Sequence, residues 1–227
     1  QRQMCIRDRY KKSMVTFLDK LPDGHMGFPG NLTVETTYKV AQSTIDIIIE
    51  ASTDKTTLCN FTNHSYFNLD GTKNIANHKL MVDCDKVLPV DENGIPISGP
   101  IFAKDLDLDF KTGRTLNNNG NPIEVDHNFC ISNTRQNLRR NAFVTAKNIS
   151  LELFSTEPGL QVYTGKGLNS GNEKIWGKYP YREFAGIALE PQIWPDAPNQ
   201  IDFPNPLLQP GDKYKHHTRL KFSRTKI

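Results

Sequence analysis

The 227-residue sequence contains no apolar run approaching the roughly 20 residues that a membrane-spanning helix requires, so no such span is expected. Cysteine is scarce: Cys5, Cys59, Cys84 and Cys130 form no CxxC pair and follow no regular spacing. This pattern argues against a zinc ribbon and against a disulfide scaffold. Reduced thiols in a cytoplasm fit best, and Gln1–Arg9 lacks the apolar stretch of a secretory signal. Excess charge is low as well. The net charge is +3, and the first twelve residues alone set Arg2, Arg7, Arg9, Lys11 and Lys12 against Asp8. The rest of the chain is near neutral, which gives no electrostatic case for a nucleic acid or an anionic membrane as partner. The alternating basic run Lys213, Lys215, Arg219, Lys221, Arg224 and Lys226 reads as the solvated face of a last strand. Internal repeats, long low-complexity tracts, a phosphate-cradling glycine loop and metal-ligand spacing are all missing. So is amphipathic helical periodicity, and an all-β fold in one domain is expected.

What is present is alternation. Leu32, Val34, Tyr38 and Val40 interleave with Thr33, Glu35, Thr37 and Lys39, the period of a strand half buried in an antiparallel sheet. Ile45–Glu50 reads as its hairpin partner. Met14–Leu18, Lys79–Cys84, Lys86–Val90, Ala142–Lys147, Ile149–Ser155 and Tyr214–Phe222 read as further strands, with turn chemistry at Pro22-Asp23-Gly24, Asp91–Gly94 and Asn148. Asn117–Pro122 is a loop by composition, and Lys166–Phe184 is a polar loop. Gln1–Arg9 has no periodicity and resembles translated adaptor sequence. Residues 1–12 are therefore set aside as a leader foreign to the fold, with the domain running over 13–227.

Four places carry candidate chemistry. The apolar run Gly186–Leu189 meets Glu190 and then Pro191, Pro195 and Pro198, which places the carboxylate at a strand end facing a loop, as a base or as an edge cap. His64 lies among Asn63, Ser65 and Tyr66, which offer hydrogen bonds to orient an imidazole, although a lone histidine is more often structural. Asp126 and His127 follow the asparagine-rich loop, where a capped turn is the ordinary reading. In Glu157–Gly165, Gly159 suits a bulge or tight turn, and Gln161 can donate to and accept from a hydroxyl or close a ladder. His78 reads as a surface or edge residue. Asp105, Asp107 and Asp109 lack the glycine and closing glutamate of a calcium loop and read as the polar side of a strand or short turn.

Five segments together resemble the aldose 1-epimerase (galactose mutarotase) family in order along the chain. They are Asp23–Leu32 (DGHMGFPGNL), Thr62–Leu69 (TNHSYFNL), Asp126–Phe129 (DHNF), Glu157–Gly165 (EPGLQVYTG) and Leu189–Asn199 (LEPQIWPDAPN). The resemblance implies a large antiparallel β-sandwich and interconversion of the anomers of a free hexose. Glu190 is then the base that takes the anomeric hydroxyl proton and His64 the acid that protonates the ring oxygen, on opposite sides of the bond that opens. Asp126 and Gln161 are expected to bind sugar hydroxyls, with Ser65 and Tyr66 as further substrate contacts. No metal and no other cofactor is expected, a small sugar is the partner, and a monomer is favoured. Family chains also carry a preceding segment with an Asn-His-x-x-Gly-Gly motif and a substrate-binding arginine, to which Gln1–Lys12 has no match. The sequence thus reads as the C-terminal two-thirds of such a protein. A glycoside hydrolase using Glu190 with Asp126, or a sugar-binding sandwich without catalysis, remains as an alternative.

Overall fold

In the computed structural model the described residues are 5–9, 13–173 and 179–224, with the backbone alone for 5–9. Part of the Lys166–Phe184 loop, residues 174–178, falls outside them, as does Lys226. In chain order the strands are β1 (Cys5–Arg9), β2 (Met14–Leu21), β3 (Leu32–Ala41), β4 (Thr44–Thr53), β5 (Thr57–Leu58), β6 (Tyr66–Phe67) and β7 (Lys79–Val82). They continue as β8 (Lys86–Val87), β9 (Ile101–Phe102), β10 (Arg114–Thr115), β11 (Asn117–Asn118), β12 (Asn121–Pro122), β13 (Asp126–Cys130), β14 (Arg139–Ala146) and β15 (Ile149–Ser155). The last four are β16 (Gly159–Tyr163), β17 (Ile187–Gln192), β18 (Leu207–Leu208) and β19 (Tyr214–Arg224). The helical content among the described residues is a few 3₁₀ turns.

Two antiparallel sheets carry the fold. A nine-stranded sheet runs in the order β1-β2-β3-β4-β19-β15-β14-β7-β10, and a six-stranded sheet in the order β6-β17-β16-β13-β8-β9. The alternating strand β3 pairs with β4, its expected hairpin partner: Val34 faces Ala51 and Tyr38 faces Ile47 across the ladder. One apolar core fills the space between the sheets. Ile47, Ile49, Val82, Leu151 and Leu153 come from the larger sheet, and Val87, Phe129, Leu160, Val162, Ile187 and Leu189 from the smaller. Each fully buried side chain of this size contributes about 1.5–3 kcal/mol.

Several readings are corrected by this arrangement. Residues 5–9 are not outside the fold, because β1 runs antiparallel to β2 from Cys5 opposite Leu18 to Arg9 opposite Met14. An edge strand needs only one backbone ladder, so the missing periodicity was a poor guide. The asparagine-rich loop is a hairpin, β11 against β12. Asn119 and Gly120, at φ 51° and 91°, supply the two positive-φ positions of a tight two-residue turn. His78 is fully buried rather than at the surface: its Nε2 accepts the Leu69 N–H at 2.8 Å, and burial lowers its pKa. Asp105, by contrast, lies in a short 3₁₀ turn, Ala103–Leu106, one of the two alternatives read from the sequence.

Candidate active site

The smaller sheet has two chemically distinct faces. Phe129, Leu160, Val162, Ile187 and Leu189 point into the core. Because successive side chains alternate, Glu190, Gln161 and Asn128 point the other way. They lie in one row across three strands, since Gln161 pairs with Glu190 and Asn128 with Gln161. The next row on that face holds Ala188, Tyr163 and Asp126. His127 pairs with Val162 and so belongs to the core side of the sheet.

Glu190 sits inside β17 rather than at its end, and Pro191 continues the strand opposite Leu160. The proline is accommodated because β6 joins β17 only at Ile187 and Ala188, leaving one edge of the strand without a partner at Pro191. Glu190 is 7% exposed. Burial raises its pKa, the nearby His64 lowers it and Asp126 raises it further, with a net upward shift.

His64 comes from the segment between β5 and β6, which belongs to no strand. Its Nε2 stands 3.2 Å from Glu190 Oε1, with the imidazole half exposed and the carboxylate buried. The two side chains, far apart in sequence, are thus in direct contact. Of the three neighbours expected to orient the ring, Tyr66 lies beside it and Asn63 bonds elsewhere. Tyr66 lies against the imidazole at 5.0 Å between ring centres. Asn63 instead donates to Tyr38 Oη at 3.2 Å and accepts the Ser65 N–H at 3.3 Å. Among the described residues no hydrogen bond joins the Ser65 hydroxyl to His64 or Glu190.

Asp126 and Gln161 meet. Gln161 Nε2 donates to Asp126 Oδ1 at 2.7 Å, while Gln161 Oε1 is buried without a partner among the described residues. Tyr66 packs edge-on against Tyr163 at 6.2 Å. Partial burial, followed by the nearness of Tyr163, Glu190 and Asp126, raises the pKa of the Tyr66 phenol. One rim of the site is therefore aromatic and the other is an amide–carboxylate pair, a combination that offers a sugar ring both an apolar face and hydroxyl partners.

Some of the site's residues escaped sequence reasoning. Tyr163 is visible only once the register is known. Asn128 is fully buried beside Gln161, with its Oδ1 unpartnered among the described residues. The Phe61 backbone is pinned by groups from β19, more than 150 positions away: its N–H donates to Tyr214 Oη at 3.2 Å, and its carbonyl accepts from His216 Nδ1 at 3.0 Å. Burial lowers the His216 pKa, and as the neutral ring its Nε2 accepts from Thr218 Oγ1 at 2.8 Å. Gly159 forms no bulge. A Cβ there would collide with Asn128 Oδ1 and come within 2.9 Å of Trp194 Cδ1 and 3.0 Å of the Gln192 carbonyl, so a close approach is what requires glycine.

Among the described residues no three His, Cys, Asp or Glu side chains gather as metal ligands would, and no helix is long and apolar enough to cross a membrane. A cavity of about 470 Å³ lies beside the site, between Phe28, Phe61 and Trp194, and His64 and Glu190 do not line it.

The family model described as aldose 1-epimerase matches residues 6–221. Mouse galactose mutarotase is 37% identical over 215 residues, covering 92% of this chain and 63% of that protein. The aldose 1-epimerase of Escherichia coli K12 is 34% identical over 221 residues, with the same coverages. The chain thus spans less than two thirds of the length of these curated relatives. Among solved structures, a GalM/aldose epimerase homologue from C. elegans superposes with a TM-score of 0.89 at 26% identity, over 99% of this chain and 70% of that one. A galactose 1-epimerase from Lactobacillus acidophilus gives 0.81 at 26% identity, over 98% and 66%. With the match running almost from end to end and the sheets superposing, the chain belongs to the aldose 1-epimerase family.

Proposed function

We propose that this chain catalyses the interconversion of the α and β anomers of a free hexose such as galactose or glucose, with Glu190 as base and His64 as acid. The observation that carries the reading is the contact of a buried carboxylate, its pKa raised, with a half-exposed imidazole at 3.2 Å. The chemistry of a cyclic hemiacetal explains why such closeness is useful. The hydroxyl oxygen that loses a proton and the ring oxygen that gains one are bonded to the same carbon, so the groups serving them must be near neighbours. Glu190 accepts the C1 hydroxyl proton as the C1–O5 bond breaks, while protonated His64 gives its proton to O5. The open aldehyde turns about C1–C2 and recloses with the two transfers reversed. The pair ends in the protonation state in which it began, and no redox step or bound nucleophile is required. Each positioned proton transfer is worth about 10²- to 10⁴-fold in rate.

Asp126 and Gln161 hold sugar hydroxyls in this reading, and the Tyr66 ring faces the apolar side of the pyranose, with Ser65 at the margin. The hydrogen bond donated by Gln161 Nε2 to Asp126 Oδ1 at 2.7 Å supports this, because it leaves the Gln161 oxygen to accept from a hydroxyl. The test is polarimetry on freshly dissolved α-galactose and α-glucose, with a chromogenic glycoside assayed in parallel. Faster decay of rotation without release of the aglycone supports the epimerase. Aglycone release would support a hydrolase using Glu190 and Asp126, and binding without either reaction would support a sugar-binding module.

A further inference from the structure

The segment that carries His64 is held in an unusual way. Residues 59–65 belong to no strand, and the ladder to β17 begins only two residues after His64, with Tyr66 opposite Ala188. At the near end Cys59 donates to the Pro206 carbonyl at 2.9 Å, and Phe61 is pinned to Tyr214 and His216. Neither of these attachments reaches the segment that carries Glu190. Asn60 does, one residue past the end of β17. Its Oδ1 accepts the Ile193 N–H at 2.9 Å and its Nδ2 donates to the Ile193 carbonyl at 3.1 Å. One side chain thus closes both backbone groups of a single residue, as a neighbouring strand would. Ile193 is almost wholly buried, and it lies three residues beyond Glu190, as Asn60 lies four before His64. Among the described residues, the hydrogen bonds and ion pairs that join the arm 59–65 to the segment 187–193 are this clasp and the His64–Glu190 contact, with the β6–β17 ladder following them.

We propose that Asn60 is a positioning residue that sets the separation of acid and base by tying the His64 arm to the chain just past Glu190. The inference rests on the reading of Glu190 and His64 as base and acid. The residue type follows from the geometry. Aspartate keeps the acceptor for the Ile193 N–H but loses the donor. Glutamine keeps both groups on a stem longer by one bond of about 1.5 Å, and alanine loses both. A misplacement of about 1 Å at a reacting group costs about 100-fold in rate, whereas substrate contacts made by Asp126 and Gln161 on the neighbouring strands are untouched.

The test compares the 227-residue chain with Asn60→Ala, Asn60→Asp and Asn60→Gln, each checked for native near-ultraviolet circular dichroism. Mutarotation gives kcat and KM, and a ¹³C-carboxyl titration reports Glu190, with His64→Gln as the reference for losing the imidazole. The expected result is a kcat lower by about 10- to 100-fold with little change in KM. The Glu190 midpoint should move upward, toward its value in His64→Gln, because the cation that favours the carboxylate has been withdrawn. Asn60→Gln should match the unaltered chain in thermal stability more nearly than Asn60→Ala and still be slow, which a merely structural role does not predict. An unchanged kcat with an unchanged Glu190 titration in folded Asn60→Ala and Asn60→Asp would overturn the proposal. If the unaltered chain fails to mutarotate, the functional reading fails, and the Glu190 titration of the variants alone decides whether Asn60 sets the distance.

Discussion

Glu190 Oε1 and His64 Nε2 lie 3.2 Å apart although 126 positions of sequence separate them, one on a strand buried in the smaller sheet and the other on an unpaired arm. The carboxylate is walled off from solvent and the imidazole is open to it. That difference supports the proposed roles, since burial makes the carboxylate a stronger base while the exposed ring is open to proton exchange with water.

The first prediction concerns the pair itself. Glu190→Gln and His64→Gln should each lower kcat by about 10²- to 10⁴-fold, and the double variant should lose little more than the worse single one. Groups acting in one concerted step are not additive. Initial rates by polarimetry give all three values, and strictly multiplicative losses would mean that the two side chains act independently.

A second prediction comes from the upward shift of the Glu190 pKa from its ordinary value of 4.5. The folded protein holds this proton where the unfolded chain has released it, so the group favours folding below the unfolded value. That contribution is lost as pH rises through the folded one. Glu190→Gln should therefore melt higher than the unaltered chain at neutral pH, with the gap closing as pH falls toward 4.5. Thermal melts across this range suffice. A variant that melts lower at neutral pH would mean that the ion pair with His64 outweighs burial.

Gly159→Ala supplies a packing test. The added methyl meets Asn128 Oδ1, the Trp194 ring and the Gln192 carbonyl, and overpacking of this kind costs about 1–3 kcal/mol. Urea unfolding should show a lower midpoint with an unchanged slope. No loss of stability would mean that the β16–β17 end can open without penalty.

Asp126→Ala and Gln161→Ala should act mainly on substrate binding. Each removes a partner from a hydrogen bond that involves a charged group, a type worth about 1.5–3 kcal/mol, so KM should rise by about 10- to 100-fold while kcat falls less. A fall in kcat with KM unchanged would instead give these residues a part in the bond-breaking step.

How much of this was legible beforehand depends on what each element rests on. β3, β4, β14, β15 and β19 were readable because one face of each is buried and the other is wet, which writes alternation into Leu32–Val40 and Ile149–Ser155. The two-residue pairs β5–β18 and β6–β17 left no such trace, since their placement comes from tertiary contacts such as Ala188 opposite Tyr66. Pro191 misdirected the reading of Glu190, because a proline signals a strand end unless one edge of the strand is unpaired. His64 was identified by its resemblance to a family segment, and nothing local announced its partner. The clasp of Asn60 on Ile193, the pinning of Phe61 by Tyr214 and His216, and the row Glu190–Gln161–Asn128 all depend on long-range register, which no local pattern encodes.

The central claim is that Glu190 and His64 together open and reclose the sugar ring. Two-dimensional exchange NMR on an equilibrium mixture of C1-labelled galactose anomers reads that event directly, without a coupled assay. The account predicts α-to-β exchange cross-peaks, above the uncatalysed level, with the unaltered chain and none with folded Glu190→Gln or His64→Gln at the same concentration. Exchange that persists at the full rate in either variant would contradict it.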